Sequence, residues 1–165
     1  EVRFIDPRRF GGVRLISHED EFFARMGPEP LGNEVIAGFE QKLARRKSPI
    51  KSVLLDQTVV AGIGNIYADE ILHQAGVDPR KTGAGLNPQE VARLQNAIPQ
   101  VLEASIAKRG TTFRDYRDGE GNPGSFAACL AVYGRKGEAC PRCGTPIECV
   151  RIAGRSTHFC PQCQQ

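Results

Sequence analysis

Four cysteines near the C-terminus, Cys140-Pro141-Arg142-Cys143 and Cys160-Pro161-Gln162-Cys163, restrict what this chain can fold into more than any other feature. Each pair is separated by two residues, and sixteen residues lie between the pairs. This is the spacing of a four-thiolate zinc site. Zn²⁺ takes four soft ligands in a tetrahedron, and a Cys-x-x-Cys turn supplies two of them from one knuckle. The intervening stretch reads as two short strands around Ala153-Gly154. Val150, Ile152, Thr157 and Phe159 suit strands, and Gly154 suits the turn. Two disulfides or a redox-active dithiol are the alternatives, and a single Cys-x-x-Cys would leave them open. Two at this spacing favour one structural zinc ion held by Cys140, Cys143, Cys160 and Cys163. Cys129 and Cys149 sit among apolar or β-forming residues and read as buried fillers.

A chain of 165 residues suffices for one ordinary domain or two small ones. A net charge of +3 is too small to demand a polyanionic partner, so the distribution of charge must decide. No segment approaches the roughly eighteen continuous apolar residues of a membrane span. The N-terminal Glu1-Val2-Arg3-Phe4-Ile5-Asp6 lacks a basic-then-apolar signal pattern. With thiolate zinc ligands, this points to a reducing, cytoplasmic compartment.

Residues 1–16 alternate like strands, with Val2, Phe4, Val13 and Leu15 flanking the turn Asp6-Pro7-Arg8-Arg9-Phe10-Gly11-Gly12. A lone hairpin is marginally stable in water, so partner strands upstream of Glu1 are expected. Residues 17–33 read as a linker stiffened by Gly27-Pro28-Glu29-Pro30. From there the period changes: Val35, Phe39 and Leu43 recur at helical steps. Lys42, Arg45, Arg46, Lys47 and Lys51 form a basic run without an acid. In isolation such a run is a solvated face. Gly62-x-Gly64 makes a tight turn, and Asn65 reads as the N-cap of a helix carrying Ala68, Ile71, Leu72 and Ala75. It is no dinucleotide fingerprint, because Tyr67 stands where a third glycine belongs. A glycine turn opening a helix presents free N–H groups and the positive end of the dipole. It could be a plain interhelical turn; the basic run upstream favours a phosphate. Gly76 and Asp78-Pro79 end this helix. Asn87-Pro88-Gln89-Glu90 then has the marks of a capped start, and an apolar face runs from Val91 to Ile106, with a kink expected at Pro99. Residues 111–125 are polar and glycine-rich, a loop and connector extending to residue 132.

Five blocks in order resemble the formamidopyrimidine-DNA glycosylase family: Asp6-Pro7-Arg8-Arg9-Phe10-Gly11, Gly27-Pro28-Glu29-Pro30-Leu31, Gly62-Ile63-Gly64-Asn65-Ile66-Tyr67-Ala68, Val132-Tyr133-Gly134-Arg135 and the four-cysteine finger. The resemblance implies a mainly α fold with small β parts. The end of a β-sandwich domain (residues 1–16) and a linker (17–33) would precede a helix–two-turn–helix domain (34–110). A lesion-recognition loop and connector (111–132) and a β-hairpin zinc finger with four cysteine ligands (133–165) would follow. It implies base-excision repair: release of 8-oxoguanine and formamidopyrimidines, then nicking by β,δ-elimination on double-stranded DNA with oxidised bases or abasic sites. A bacterial, nucleoid-associated monomer is expected.

In the family the positions matching Arg8 and Phe10, with Arg9 in the same block, hold the orphaned base and wedge the stack. Those matching Arg46, Lys51 and Asn65 hold phosphates. Arg155 matches the finger-tip arginine that contacts phosphates and is assigned the second elimination. Without the resemblance it reads as a solvent-exposed turn residue. The family's N-terminal proline nucleophile, the glutamate after it and a lysine of its first domain have no counterpart among these residues. An endonuclease VIII-like enzyme for oxidised pyrimidines is an alternative, opposed by the Arg8-Arg9-Phe10 block. A non-catalytic zinc-containing DNA-binding protein is another.

Overall fold

The helix that begins at Pro88 starts where its local chemistry dictates. Asn87 accepts a hydrogen bond from the Glu90 N–H at 2.9 Å, and the Glu90 carboxylate accepts from the Asn87 N–H at 2.9 Å. This is a reciprocal capping box with proline at the first helical position. The computed structural model describes residues 3–4, 11–18, 23–31, 36, 38–112 and 120–165. Its helices are α1 (Phe39–Ala44), α2 (Ile50–Leu54), α3 (Asn65–Ala75) and α4 (Pro88–Ala107); its strands are β1 (Glu148–Ile152) and β2 (Arg155–Phe159). Short 3₁₀ turns occupy Gly83–Gly85 and Phe126–Cys129. The helix–two-turn–helix consists of α3, the turns of residues 76–87, and α4.

Helix α3 ends in a Schellman motif. The Gly76 N–H donates to the His73 carbonyl and the Val77 N–H to the Leu72 carbonyl, with Gly76 at φ 67°. A side chain at Gly76 would also come within 3.2 Å of the Cys163 carbonyl, where the zinc finger lies against the helix end. The core is apolar and continuous: Phe39, Leu43, Ile50, Leu54, Ile71, Leu72, Leu94 and Ile98 are each at most 1% exposed. Ala68, Ile71, Leu72 and Ala75 form the inward face of α3, as their spacing predicts. Tyr67 ties α3 to α4 through its hydroxyl, 2.6 Å from Ser105 Oγ and 3.1 Å from Thr111 Oγ1.

Several expectations change. Asn65 is the first residue of α3 and not its cap; Gly64, in extended conformation, occupies the cap position. Helix α4 runs from Pro88 to Ala107 with Pro99, the expected kink position, inside it. Helix α2 lies inside the basic run, where five cations obscured the buried spacing of Ile50, Val53 and Leu54. Cys129 is exposed, so it is no core filler, while Cys149 is half-buried. Residues 3–4 and 11–18 are in neither helix nor strand, and Phe4, Val13 and Leu15 are exposed. The Arg8-Arg9-Phe10 turn and Val35 lie outside the described residues. Gly27 passes so close to the 57–61 loop that a Cβ there would sit 2.6 Å from the Val59 carbonyl carbon. Its N–H donates to the Gln57 carbonyl at 2.7 Å, which fixes the path of the linker.

Candidate nucleic-acid interface and metal centre

The hairpin of the finger is a two-residue turn. Ala153 (φ 47°) and Gly154 (φ 78°) join β1 to β2, with Ile152 paired to Arg155 across the antiparallel ladder. Two successive positive φ angles match the right-handed twist of a tight hairpin. They leave Arg155 exposed at its tip. The knuckles flank the hairpin. Cys140 Sγ lies 3.9 Å from Cys163 Sγ, Cys143 Sγ lies 3.4 Å from Cys160 Sγ, and all four sulfurs fall within 4.8 Å of one another. Sulfurs about 2.3 Å from a tetrahedral zinc ion are separated by about 3.8 Å, so the arrangement fits one Zn²⁺. None of the six cysteines forms a disulfide, and sulfurs 3.4 and 3.9 Å apart favour a shared ion over two disulfides. The proton affinities of the cluster diverge without an ion: hydrogen bonds from Thr145 pull Cys143 down to about 6, and burial pushes Cys163 up to about 12. Four thiolates this close need a positive centre to stay ionised together. The site is structural, because all four positions around the ion are filled by protein.

Helix α3 carries the finger. Its Asn65 Nδ2 donates to the Ser156 carbonyl at 3.2 Å, next to Arg155. One turn on, Asp69 Oδ2 accepts from the His158 N–H at 2.8 Å, and His158 Nδ1 lies 3.3 Å away. Glu70 accepts three N–H groups, from Ala131 (2.8 Å), Val132 (3.0 Å) and Tyr133 (2.8 Å), and so anchors the entry to the finger. Burial raises the pKa values of both carboxyls, opposed by these donated hydrogens. His73 Nε2 is 3.4 Å from Cys140 Sγ, and burial, with the nearby Arg142 and Arg135 charges, lowers its pKa to about 4. At the far end Gln164 joins the Cys160 N–H to the Val77 carbonyl, and the Arg80 guanidinium lies 4.8 Å from the centre of the Phe159 ring.

Lys51 is more enclosed than its place in a basic run suggests. It is 0% exposed, and its ammonium meets Asp69 Oδ1 (2.7 Å), the Ser156 carbonyl (2.7 Å) and Thr157 Oγ1 (2.9 Å). Its three N–H bonds are thereby occupied by protein acceptors. Burial lowers its pKa, with a smaller push from Arg155 and opposition from Asp69. The rest of the basic run divides. Lys42 donates to the Thr58 and Val59 carbonyls (3.1 and 3.2 Å), and Arg46 pairs with Asp56 at 3.1 Å while 41% of its side chain is exposed. Arg45 and Lys47 are exposed. The structure therefore brings Lys51, Asn65 and the Arg155 hairpin together, with Arg46 held on the separate Asp56 loop. Sequence reasoning missed Asp69, Glu70 and His73. With Asn65 they form a polar stripe on α3 that reads as a solvent face unless the finger beyond it is known.

No helix of the described residues is long and apolar enough to cross a membrane. Residues 26–117, more than half of the chain, match the formamidopyrimidine-DNA glycosylase H2TH domain; residues 137–165 match a zinc finger found in FPG and IleRS. Among curated relatives, the formamidopyrimidine-DNA glycosylase of Moorella thermoacetica is 55% identical over 152 residues, covering 89% of this chain and 56% of its own length. That of Syntrophomonas wolfei is 50% identical over 166 residues, covering 100% of this chain and 62% of its own. Among solved structures, the MutM (Fpg) protein of Thermus thermophilus superposes with a TM-score of 0.86 at 44% identity, over 96% of this chain and 62% of that one. Lactococcus lactis Fpg complexed with DNA containing an abasic site gives 0.82 at 40% identity, over 88% and 54%. The chain spans 54–62% of the length of each of these proteins, yet its helical domain and its finger both match in order. On that agreement of sequence and fold, the chain belongs to the formamidopyrimidine-DNA glycosylase family.

Proposed function

We propose that this chain is the DNA-gripping part of a base-excision repair enzyme for oxidised purines, one that releases 8-oxoguanine and formamidopyrimidines and nicks the strand by β,δ-elimination. One observation carries the reading. The exposed Arg155 hairpin rests on the N-terminus of α3, where Asn65 bonds to Ser156 and, among the described residues, no side chain caps the helix. A guanidinium beside a helix N-terminus suits a phosphate. Arg46, half-exposed and oriented by Asp56, is a second phosphate contact in this reading, Arg45 and Lys47 add positive potential, and the Arg8-Arg9-Phe10 turn serves the widowed base. Support comes from the 40%-identical Lactococcus lactis Fpg, solved with abasic-site DNA. The partner is double-stranded DNA in the bacterial cytoplasm, bound by a monomer.

Catalysis by the family's route needs an amine that attacks the sugar carbon and persists as a Schiff base. These 165 residues supply no counterpart to that N-terminal proline. The test is binding to a duplex bearing a tetrahydrofuran abasic analogue, alongside borohydride trapping on 8-oxoguanine duplex. The chain binds the abasic duplex more tightly than undamaged duplex and forms no adduct. Equal binding to both, or a trapped adduct with this chain alone, contradicts the reading.

A further inference from the structure

We propose that His73 is an outer partner of the zinc site: a positioning residue whose Nε2–H donates to the Cys140 thiolate and joins the metal's ligand set to helix α3. The proposal depends on zinc at the four cysteines and not on the DNA-binding reading.

The argument starts from what a zinc-bound thiolate can do. It carries no proton, so it only accepts hydrogen bonds, and each one lowers the charge it must hold. One of the ligands finds a donor inside the finger: Cys160 Sγ receives the Cys163 N–H at 3.4 Å. Cys140 is 3% exposed, and the side-chain donor at its sulfur comes from 67 positions earlier, His73 Nε2 at 3.4 Å. His73 is itself 4% exposed and lies on the buried part of α3. The contact has only one productive tautomer. Because the thiolate must accept, the imidazole carries its proton on Nε2 and leaves Nδ1 bare. The ring is held against the first knuckle, where the Arg142 guanidinium reaches the Gln74 carbonyl at 3.4 Å. A cavity of about 440 Å³ between α4 and that knuckle is lined by His73, Gln74, Gln100 and Arg142. Loss of the donor leaves the charge of the buried Cys140 sulfur without its side-chain partner and unties the first knuckle from α3.

Outer-shell partners of this kind typically change metal affinity about 10–100-fold. The test uses the zinc-loaded 165-residue chain and its His73→Phe variant, which fills similar space without an N–H. Zinc transfer to the chromophoric chelator 4-(2-pyridylazo)resorcinol becomes about tenfold faster or more in the variant. In the Co²⁺-substituted forms, the thiolate-to-cobalt band moves to longer wavelength in the variant, a change that altered packing alone does not produce. Should His73→Phe fail to fold, the wild-type chain loaded with ¹¹³Cd decides: a scalar coupling links ¹¹³Cd to His73 Hε2 through the sulfur. An unchanged release rate in a folded variant, or a ¹¹³Cd-loaded chain without that coupling, overturns the proposal.

Discussion

The helical module and the finger reach their folded states by opposite means. Between Ile36 and Leu102, twenty buried apolar residues pack into one cluster. The finger's own cluster is Val132, Cys140, Ile147 and Cys160, and two of these are metal ligands. A core of the first kind stabilises a fold by removing apolar surface from water. A module of the second kind is stabilised by its ion. The contact between them differs from both. Along α3 the finger is held by Asn65, Asp69, Glu70 and His73, with Lys51 reaching through from α2. Hydrogen bonds depend on direction in a way that apolar packing does not. A helical base with its own apolar core thus carries a metal-made hairpin that polar groups aim.

Removing the metal separates the two regions most sharply. Structural zinc contributes on the order of 10 kcal/mol or more to modules of this kind. With zinc chelated, or with Cys160→Ser, trypsin cuts at Arg151 and Arg155 while far-ultraviolet circular dichroism retains the helices. Loss of both together would show one cooperative unit. The next largest effect tests the aiming contact. Lys51→Met leaves Asp69 buried without its partner, at a cost of about 3–5 kcal/mol. Asp69→Asn added to it removes the stranded charge and recovers most of the loss in urea denaturation. An additive double variant would mean that the two residues act independently. Within the helical region, Asn87→Ala removes the capping box and costs about 1 kcal/mol, read as a lower melting temperature. The smallest change sharpens the hairpin. Ala153 holds φ 47°, a region that disfavours side chains, and Ala153→Gly stabilises the zinc-loaded finger by about 0.5–1 kcal/mol in hydrogen exchange of β1 and β2.

What the residues alone revealed follows the same division. Each Cys-x-x-Cys knuckle, the Ala153-Gly154 hairpin and the Asn87 capping box are local patterns, complete within a few positions of sequence. So is the inward face of α3, because Ala68, Ile71, Leu72 and Ala75 keep helical spacing. The polar contacts were not legible. Glu70 meets backbone groups 61 to 63 positions away, and Lys51 meets Thr157 at a separation of 106, so no spacing rule joins them. Charge type also misleads here. A lysine in a basic run reads as a solvent-facing cation, and only the burial of Asp69 opposite it reverses that reading. Asn65, read as a cap, instead meets the Ser156 carbonyl, a partner 91 positions away.

The central claim is that Arg155 is the cation that faces DNA, whereas Lys51 holds the hairpin from inside. The salt dependence of binding to the abasic-analogue duplex tests this directly, because each phosphate contact contributes about 0.9 to the slope of log K against log salt concentration. In the Arg155→Ala chain the slope falls by about that amount. In the Lys51→Met/Asp69→Asn chain the slope stays at the wild-type value. A Lys51 variant that retains the folded hairpin and still loses one phosphate's worth of slope, with Arg155→Ala unchanged, would contradict the account.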